Sequence, residues 1–139
     1  MGNYDFFTPI ALTKSLLSLL PPACIRSITD ICCGQGNMLI AAGKKYPNAE
    51  IEGVDIKHTP TPDCIKHAVF HNSDGRDFAI QCFRQDKTFD LILLNPPFGY
   101  LGKNEQKLKC ATLKAKTYHG LFISRYEYEM LQAALLLRG

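Results

Sequence analysis

Apolar side chains along this chain alternate between helix spacing and the short runs that are typical of buried strands. Leucines at helix spacing predict a first helix from about Thr8 to Leu20. Thr8 would cap this helix, and Pro21 and Pro22 would end it. Apolar runs predict strands at residues 27–33, 49–56, 68–72 and 89–94. Further helices are predicted at residues 37–45, 78–84, 105–118 and 124–137. Strands that alternate with helices predict a parallel sheet flanked by helices, an α/β fold.

Composition is that of an ordinary globular domain. Of the 139 residues, 46% are hydrophobic and 21% charged, which argues against a disordered chain. No apolar run reaches the ~18 residues of a membrane span, and residues 1–5 carry no secretory signal, so we expect a cytoplasmic protein. The net charge of +3 is compatible with a nucleic acid partner without proving one. Six cysteines without a C-x-x-C pair and four scattered histidines predict free thiols and no metal site.

Residues 30–36, Asp-Ile-Cys-Cys-Gly-Gln-Gly, follow a predicted strand and open a predicted helix. Glycines let the backbone turn tightly and approach a ligand closely. Leu39 stands where the dinucleotide fingerprint has its third glycine, which favours a smaller ligand. Asp55 ends the next strand, where a carboxylate can accept both hydroxyls of a ribose. Together these features indicate a nucleoside-bearing cofactor, although a plain strand-to-helix turn and a strand-end cap would account for each one alone.

The segment Asn95-Pro96-Pro97-Phe98 directly follows the most apolar strand. Its prolines lack N–H groups, so they end the strand and stiffen the turn. The Asn95 side-chain oxygen and the Pro96 carbonyl are two acceptors beside the aromatic face of Phe98. This predicts a pocket for a planar ring that carries an amino group, with a simple strand-ending loop as the alternative.

These motifs resemble those of the class I S-adenosylmethionine-dependent methyltransferases, specifically the adenine amino-methyltransferases of DNA. Residues 6–9 are similar to the F-Y-T-P element of that family, and residues 95–98 to its N-P-P-[YF] element. Residues 30–36 are similar to its D-P-A-C-G-x-G loop, from which Ile31 and Cys32 depart. The resemblance implies a Rossmann-like methyltransferase fold, S-adenosyl-L-methionine as cofactor, and a flipped adenine of DNA as substrate. The implied catalytic residues are Asn95, Pro96, Pro97 and Phe98.

The resemblance also implies roles around the cofactor. The N-terminal element would hold the methionine part, the acid after the second strand would bind the ribose, and the apolar residue beside it would pack on the adenine. Asp77 and Phe78 would contact the adenine ring and its amino group, with Asp74 as a rival for that role. The implied cofactor-binding residues are Phe7, Thr8, Asp30, Cys32, Gly34, Gly36, Asp55, Ile56, Asp74, Asp77 and Phe78.

The family's sheet usually has seven strands, whereas this sequence predicts about four. We therefore expect residues 1–139 to be part of a methyltransferase domain. It would comprise an N-terminal helical element (1–22), a core with the cofactor and N-P-P-F elements (23–100) and a helical segment (101–139). A missing C-terminal part or a partner subunit would supply target recognition. We expect the isolated chain to bind cofactor weakly, to transfer no methyl group, and to self-associate through its unfinished sheet.

Two other functions stay open. Asn-Pro-Pro loops also serve enzymes that methylate a glutamine amide in release factors or guanine amino groups in ribosomal RNA. The release-factor type more often has tyrosine at position 98 and lacks the Phe-Thr-Pro start. The other alternative is a non-catalytic, methyltransferase-like binding subunit. Lysines after the N-P-P-F segment would contact DNA phosphates or form a solvated helix face, and these are Lys103, Lys107, Lys109, Lys114 and Lys116.

Overall fold

A parallel sheet with helices on both of its faces forms the framework of the protein. The computed structural model describes residues 7–20, 24–57, 65 and 67–95. Within them lie the strands β1 (Ser27–Asp30), β2 (Glu50–Asp55), β3 (Ala68–Asn72) and β4 (Leu91–Leu93), and the helices α1 (Ile10–Ser18), α2 (Asn37–Lys45) and α3 (Gly75–Arg84). The predicted α/β class with a parallel, Rossmann-like sheet is confirmed. The helices predicted at 105–118 and 124–137 lie outside the described residues, as do Pro96, Pro97 and Phe98.

The strand order is β3-β2-β1-β4, and every neighbouring pair is parallel. The chain moves outward from β1 in one direction through β2 and β3, and then returns to the other side of β1 as β4. Ligands of such sheets bind beyond the carboxyl ends of the strands at this reversal point. Asp30 of β1 is in register with Leu93 of β4, so the segments that follow both strands leave the sheet side by side.

The two faces of the sheet pack against different helices. α1 and α2 cover one face, where the largest fully buried apolar side chains are Ile28, Leu39 and Ile51. α3 covers the other face, because the ring of its Phe78 lies 5.1 Å from the ring of His71 on β3. Burial of these apolar side chains at about 1.5–3 kcal/mol each is the main term that holds the layers together. Among the described residues, no helix has the length and apolar character needed to cross a membrane.

The element bounds agree with the sequence for α2 and β3 and differ elsewhere. α1 begins after Pro9, whose side chain makes no capping hydrogen bond, so the prediction that Thr8 caps this helix is wrong. Only part of the leucine stripe of α1 enters the core. Leu17 is buried, whereas Leu12 and Leu16 are 51% and 54% exposed. β1 ends at Asp30 rather than at residue 33, because the chain turns at residues 31–36. α1 ends at Ser18, two residues before the predicted Leu20.

α3 begins at Gly75, three residues before the predicted start, because Asp74 caps it. The Asp74 carboxylate accepts a hydrogen bond from the backbone N–H of Arg76 at 2.9 Å. Gly75 itself is buried against the loop after β1: a Cβ atom at this position would lie 2.0 Å from the backbone oxygen of Ile31. The lack of a side chain at Gly75 therefore lets α3 start directly beside the end of β1.

We expect Gly75→Ala to lower the free energy of unfolding by about 2–3 kcal/mol, since the added methyl group overlaps backbone that cannot rotate away. Chemical denaturation followed by circular dichroism measures this loss. Gly43→Ala in α2 is the matched control, because a Cβ there meets side-chain methyl groups, Cγ2 of Ile65 at 2.9 Å and Cδ1 of Ile51 at 3.1 Å, rather than backbone. Alanine also favours the helix interior by about 1 kcal/mol. Equal losses in the two variants would contradict the proposed close approach at Gly75.

Candidate functional site

The loop between β1 and α2 turns at two glycines with left-handed backbone. Gly34 has φ +53° and Gly36, which precedes α2, has φ +82°. Gly34 also lies against Phe7, since a Cβ at Gly34 would be 2.7 Å from Cε1 of that ring. Both the conformation and the close approach favour glycine here. The predicted N-terminal element and the predicted glycine loop are therefore in direct contact.

Asp55 lies at the end of β2 and is bound to the same loop. Its Oδ2 accepts a hydrogen bond from the backbone N–H of Gly34 at 2.8 Å, and its Oδ1 accepts one from the N–H of Lys57 at 2.8 Å. Two backbone donors, one on each oxygen, thus fix the orientation of the carboxylate. Ile56, next in the chain, is 63% exposed. An oriented carboxylate beside an exposed apolar side chain is suited to a nucleoside.

Asp30, the last residue of β1, carries a buried carboxyl group. Its Oδ1 accepts a hydrogen bond from the backbone N–H of Cys32 at 3.0 Å. Its Oδ2 is buried and has no hydrogen-bond partner within the described part of the chain. The pKa of Asp30 is raised to about 7, mainly by burial. The hydrogen bond from the Cys32 N–H opposes this rise, and the charge of Asp55 contributes to it. Buried polar atoms without partners are rare in folded proteins, and they commonly mark functional positions.

The two thiols of the loop are protonated, and of the two Cys33 is buried and Cys32 half-buried. Burial is the main cause that raises the pKa of Cys33 to about 12. Burial is also the main cause for Cys32, whose pKa is raised even more than that of Cys33. The charges of Asp30, Asp55 and Asp74 also raise the pKa of Cys32, so three carboxyl groups act on this thiol. A site lined by neutral sulfur and surrounded by carboxyl groups favours a cationic ligand. The four described cysteines are free, as predicted, and these are Cys24, Cys32, Cys33 and Cys82.

The residues proposed to meet the adenine of the cofactor occupy different surroundings at the start of α3. Asp74 directly precedes the helix, and its carboxylate forms an ion pair with Arg76, a buried residue. Asp77 is exposed in the first turn. Phe78 is buried under the sheet, where it packs against His71 and Phe89. Of the two rival carboxylates, Asp74 is therefore the one whose charge acts on the Cys32 thiol.

Asn95 lies two residues beyond β4 and reaches the N-terminal element. Its Nδ2 donates a hydrogen bond to Oγ1 of Thr8 at 2.8 Å, across 87 positions of sequence. Thr8 is bonded to Phe7, which packs on Gly34. Contacts therefore run without a break from Asn95 through the N-terminal element to the glycine loop and on to Asp55. No pattern in the sequence indicates the Thr8–Asn95 contact or the approach of Gly75 to Ile31.

Comparisons with known proteins identify a family and several relatives. The family profile described as N-6 DNA methylase matches residues 2–123. A type II methyltransferase, M.VspI, from Vibrio sp. (strain 343) is 30% identical over 102 residues, covering 68% of this chain and 25% of that protein. A release factor glutamine methyltransferase from Clostridium botulinum is 29% identical over 93 residues, covering 63% of this chain and 33% of that protein.

Among solved structures, the plantazolicin methyltransferase BpumL in complex with SAH matches 92% of this chain and 61% of that chain, with a TM-score of 0.41 and 19% identity. The chain spans 33% and 25% of the length of the two curated relatives described above.

Proposed function

The chain belongs to the N-6 DNA methylase family, and we propose that it serves to transfer a methyl group from S-adenosyl-L-methionine to the 6-amino group of adenine in DNA. Family membership confirms the resemblance seen in the sequence motifs. The observation that carries the proposal is the contact between Asn95 and Thr8. It joins the residue expected to receive the target amino group to the N-terminal element, which packs on the loop expected to hold the cofactor.

S-adenosyl-L-methionine is the cofactor of this methyltransferase family, and the described residues fit it. The buried Oδ2 of Asp30, which has no partner among the described residues, would accept the methionine ammonium group. The fixed carboxylate of Asp55 would accept the ribose hydroxyls. Carboxyl groups around Cys32 complement the positive charges of the ammonium and sulfonium groups. When bound, this cofactor supplies a methyl group that is already activated. Phe7, Thr8 and Ile56 would line its methionine and adenine parts.

The chain's own contribution is to orient the target nitrogen. Its lone pair is delocalised into the adenine ring, which makes the amino group a poor nucleophile. A hydrogen bond from that group to Oδ1 of Asn95 would favour a more tetrahedral nitrogen, and the carbonyl of Pro96 would accept the second hydrogen. Pro97 would stiffen this turn and Phe98 would stack on a base that has left the duplex. Holding the nitrogen in line with the methyl group supplies much of the acceleration.

DNA as the partner and a separate target-recognition part are components of the same proposal. Beyond the described sheet, that part would be supplied by another segment or subunit. Self-association through an exposed sheet edge stays a prediction, which sedimentation of the purified chain tests.

Methylation of a protein glutamine is the second candidate, and the release factor glutamine methyltransferase among the relatives favours it. An amide nitrogen has the same delocalised lone pair, so the same two acceptors would serve it. A guanine amino group of ribosomal RNA is a further acceptor with this chemistry. The choice among them depends on the surface that presents the substrate rather than on Asn95.

The test uses the protein expressed from its complete reading frame with isotope-labelled S-adenosylmethionine. Three acceptors are offered separately: a DNA duplex library, a glutamine-containing release-factor domain and ribosomal RNA. We expect label in DNA, recovered after digestion as N6-methyladenine nucleoside by mass spectrometry. Label in glutamine or in guanine would overturn the DNA assignment, and no transfer to any acceptor would favour the binding-subunit alternative.

Asp55→Asn is expected to weaken cofactor binding by about 10–100-fold, because the amide loses both the charge and one acceptor. The oxygen of the asparagine amide can accept a hydrogen bond from the N–H of Gly34 or from that of Lys57. The NH₂ group of the amide is a donor, so the remaining N–H loses its acceptor. Calorimetric titration with S-adenosylmethionine measures the dissociation constant.

Asp90→Asn is the matched control for this variant. Asp90 also accepts two backbone hydrogen bonds, from Arg26 at 2.7 Å and Ser27 at 3.0 Å, at the opposite end of β1. Both fall on Oδ2, so the oxygen of an amide at position 90 can keep them. We expect its cofactor affinity to stay within about twofold of the parent chain. Similar losses in both variants would mean that the effect of Asp55 is general destabilisation.

A further inference from the structure

The side-chain amide of Asn95 is held by a single described contact, and the orientation of that contact matters. Nδ2 donates to Oγ1 of Thr8, and both residues are half-buried. An asparagine amide has a donor end and an acceptor end that exchange places when the group rotates by half a turn. Only the oxygen end can accept a hydrogen from an amino group. Whatever fixes Nδ2 therefore decides whether Asn95 presents an acceptor or a donor to a substrate nitrogen.

The hydroxyl of Thr8 is placed for this task by packing on both sides. Before it, the ring of Phe7 lies against Gly34. After it, α1 is anchored by burial of Leu17 and by Lys45 of α2, whose Nζ donates to the Leu17 carbonyl. The hydroxyl does not cap α1, since the N-cap residue is Pro9. Thr8 is thus available to accept from Asn95.

We propose that Thr8 is a positioning residue for Asn95: its hydroxyl accepts from Nδ2 and so keeps Oδ1 directed to the amino group that receives the methyl. This inference rests on the proposed function. Thr8 lies between the glycine loop and Asn95, so the same threonine that lines the cofactor site also sets the acceptor for the substrate. A glutamine amide or a guanine amino group would need the same acceptor, and the role of Thr8 holds for each of those substrates.

The first test needs neither cofactor nor substrate. In proton–nitrogen correlation spectra of the free chain, the side-chain amide signals of Asn95 are identified by their disappearance in Asn95→Asp. We expect the hydrogen-bonded proton to move upfield in Thr8→Val and to stay in place in Thr8→Ser, which keeps the hydroxyl. Thr29→Val is the matched control, because its hydroxyl bonds the Glu52 carbonyl at 3.0 Å on another part of the sheet. Unchanged Asn95 signals in Thr8→Val overturn the proposal.

The second test measures turnover of the full-length protein at saturating cofactor. We expect Thr8→Val to lower kcat by about tenfold, because the loss of one well-directed hydrogen bond in the transition state changes the rate by about that factor. Thr8→Ser keeps the hydroxyl and should retain most of the wild-type kcat. An increase in the KM for cofactor with unchanged kcat would overturn the positioning role and leave Thr8 a cofactor contact. If the wild-type protein methylates no acceptor, the proposed function fails, and the amide spectra still decide whether Thr8 holds Asn95.

Discussion

Asn95→Ala is expected to lower the rate of methyl transfer by roughly 10²–10³-fold, the usual cost of removing one well-placed hydrogen-bonding group that acts in the transition state. The variant loses the acceptor that would favour a tetrahedral target nitrogen. Asn95 lies outside the loop that would hold the cofactor, so cofactor affinity should stay within about threefold. Single-turnover transfer of labelled methyl groups, with calorimetric titration of S-adenosylmethionine, separates the two effects.

Asn95→Asp is the matched variant, because it preserves shape and acceptor oxygens while removing the NH₂ group. A carboxylate carries an oxygen at both ends, so an acceptor would still face the target in either orientation of the side chain. We expect this variant to retain more activity than Asn95→Ala. If the two substitutions cost the same, acceptor chemistry is not the role of Asn95. An Asn95→Ala rate within tenfold of wild type would remove the residue from the mechanism.

Local sequence signals were sufficient for the elements whose ends are decided locally. α2 has the predicted bounds, because the left-handed Gly36 starts it and the Tyr-Pro-Asn segment after Lys45 ends it. β3 also has its predicted bounds. The grouping of the glycine loop, Asp55 and Asn95 followed from the parallel sheet, since the carboxyl ends of its strands share one edge. This much of the site could be predicted without coordinates.

Contacts between distant segments could not be predicted in this way. A threonine before a proline has the local pattern of a helix cap, but the Thr8 hydroxyl instead meets Asn95, 87 positions away. The predicted start of α3 is three residues too late. Glycine is required at position 75 because the backbone of Ile31, in the loop after β1, lies against it, and no local pattern indicates that contact. The burial of Asp30 Oδ2 without a partner in the described part of the chain depends on how the loop after β1 folds over the strand. These features belong to tertiary packing rather than to sequence periodicity.

Asp30 is expected to make the free energy of unfolding fall as the pH rises from about 4 to about 7. Burial raises its pKa in the folded protein from 3.8 to about 7, so the folded state keeps a proton that the unfolded state has released. The contribution of Asp30 to stability is complete below 3.8, its pKa in the unfolded chain. That contribution is lost as the pH rises through about 7, the pKa of Asp30 in the folded protein. A rise of this size corresponds to about 4 kcal/mol. Asp30→Asn cannot ionise, so its stability relative to wild type should increase over this range and then level off.

Chemical denaturation of both proteins at a series of pH values measures this difference. Asn at position 30 can still accept from the Cys32 N–H, so the pH dependence isolates the ionisation. Asp90→Asn is the control, because the contribution of Asp90 to stability changes with pH in the opposite direction. Backbone hydrogen bonds lower the pKa of Asp90, so the Asp90 carboxylate stabilises the fold above the unfolded pKa, and that stability is lost as the pH falls. A pH-independent difference between wild type and Asp30→Asn would show that Asp30 ionises freely in the fold.

Cofactor binding should change this balance if Asp30 receives the methionine ammonium group. A cation beside Oδ2 favours the ionised carboxyl, so saturating S-adenosylmethionine should remove most of the penalty that wild type bears at neutral pH. The thermal shift caused by the cofactor should then be larger for wild type than for Asp30→Asn, and the gap should widen from about pH 6 to about pH 8. Equal shifts in the two proteins at every pH would mean that the buried oxygen of Asp30 has some other partner in the complex.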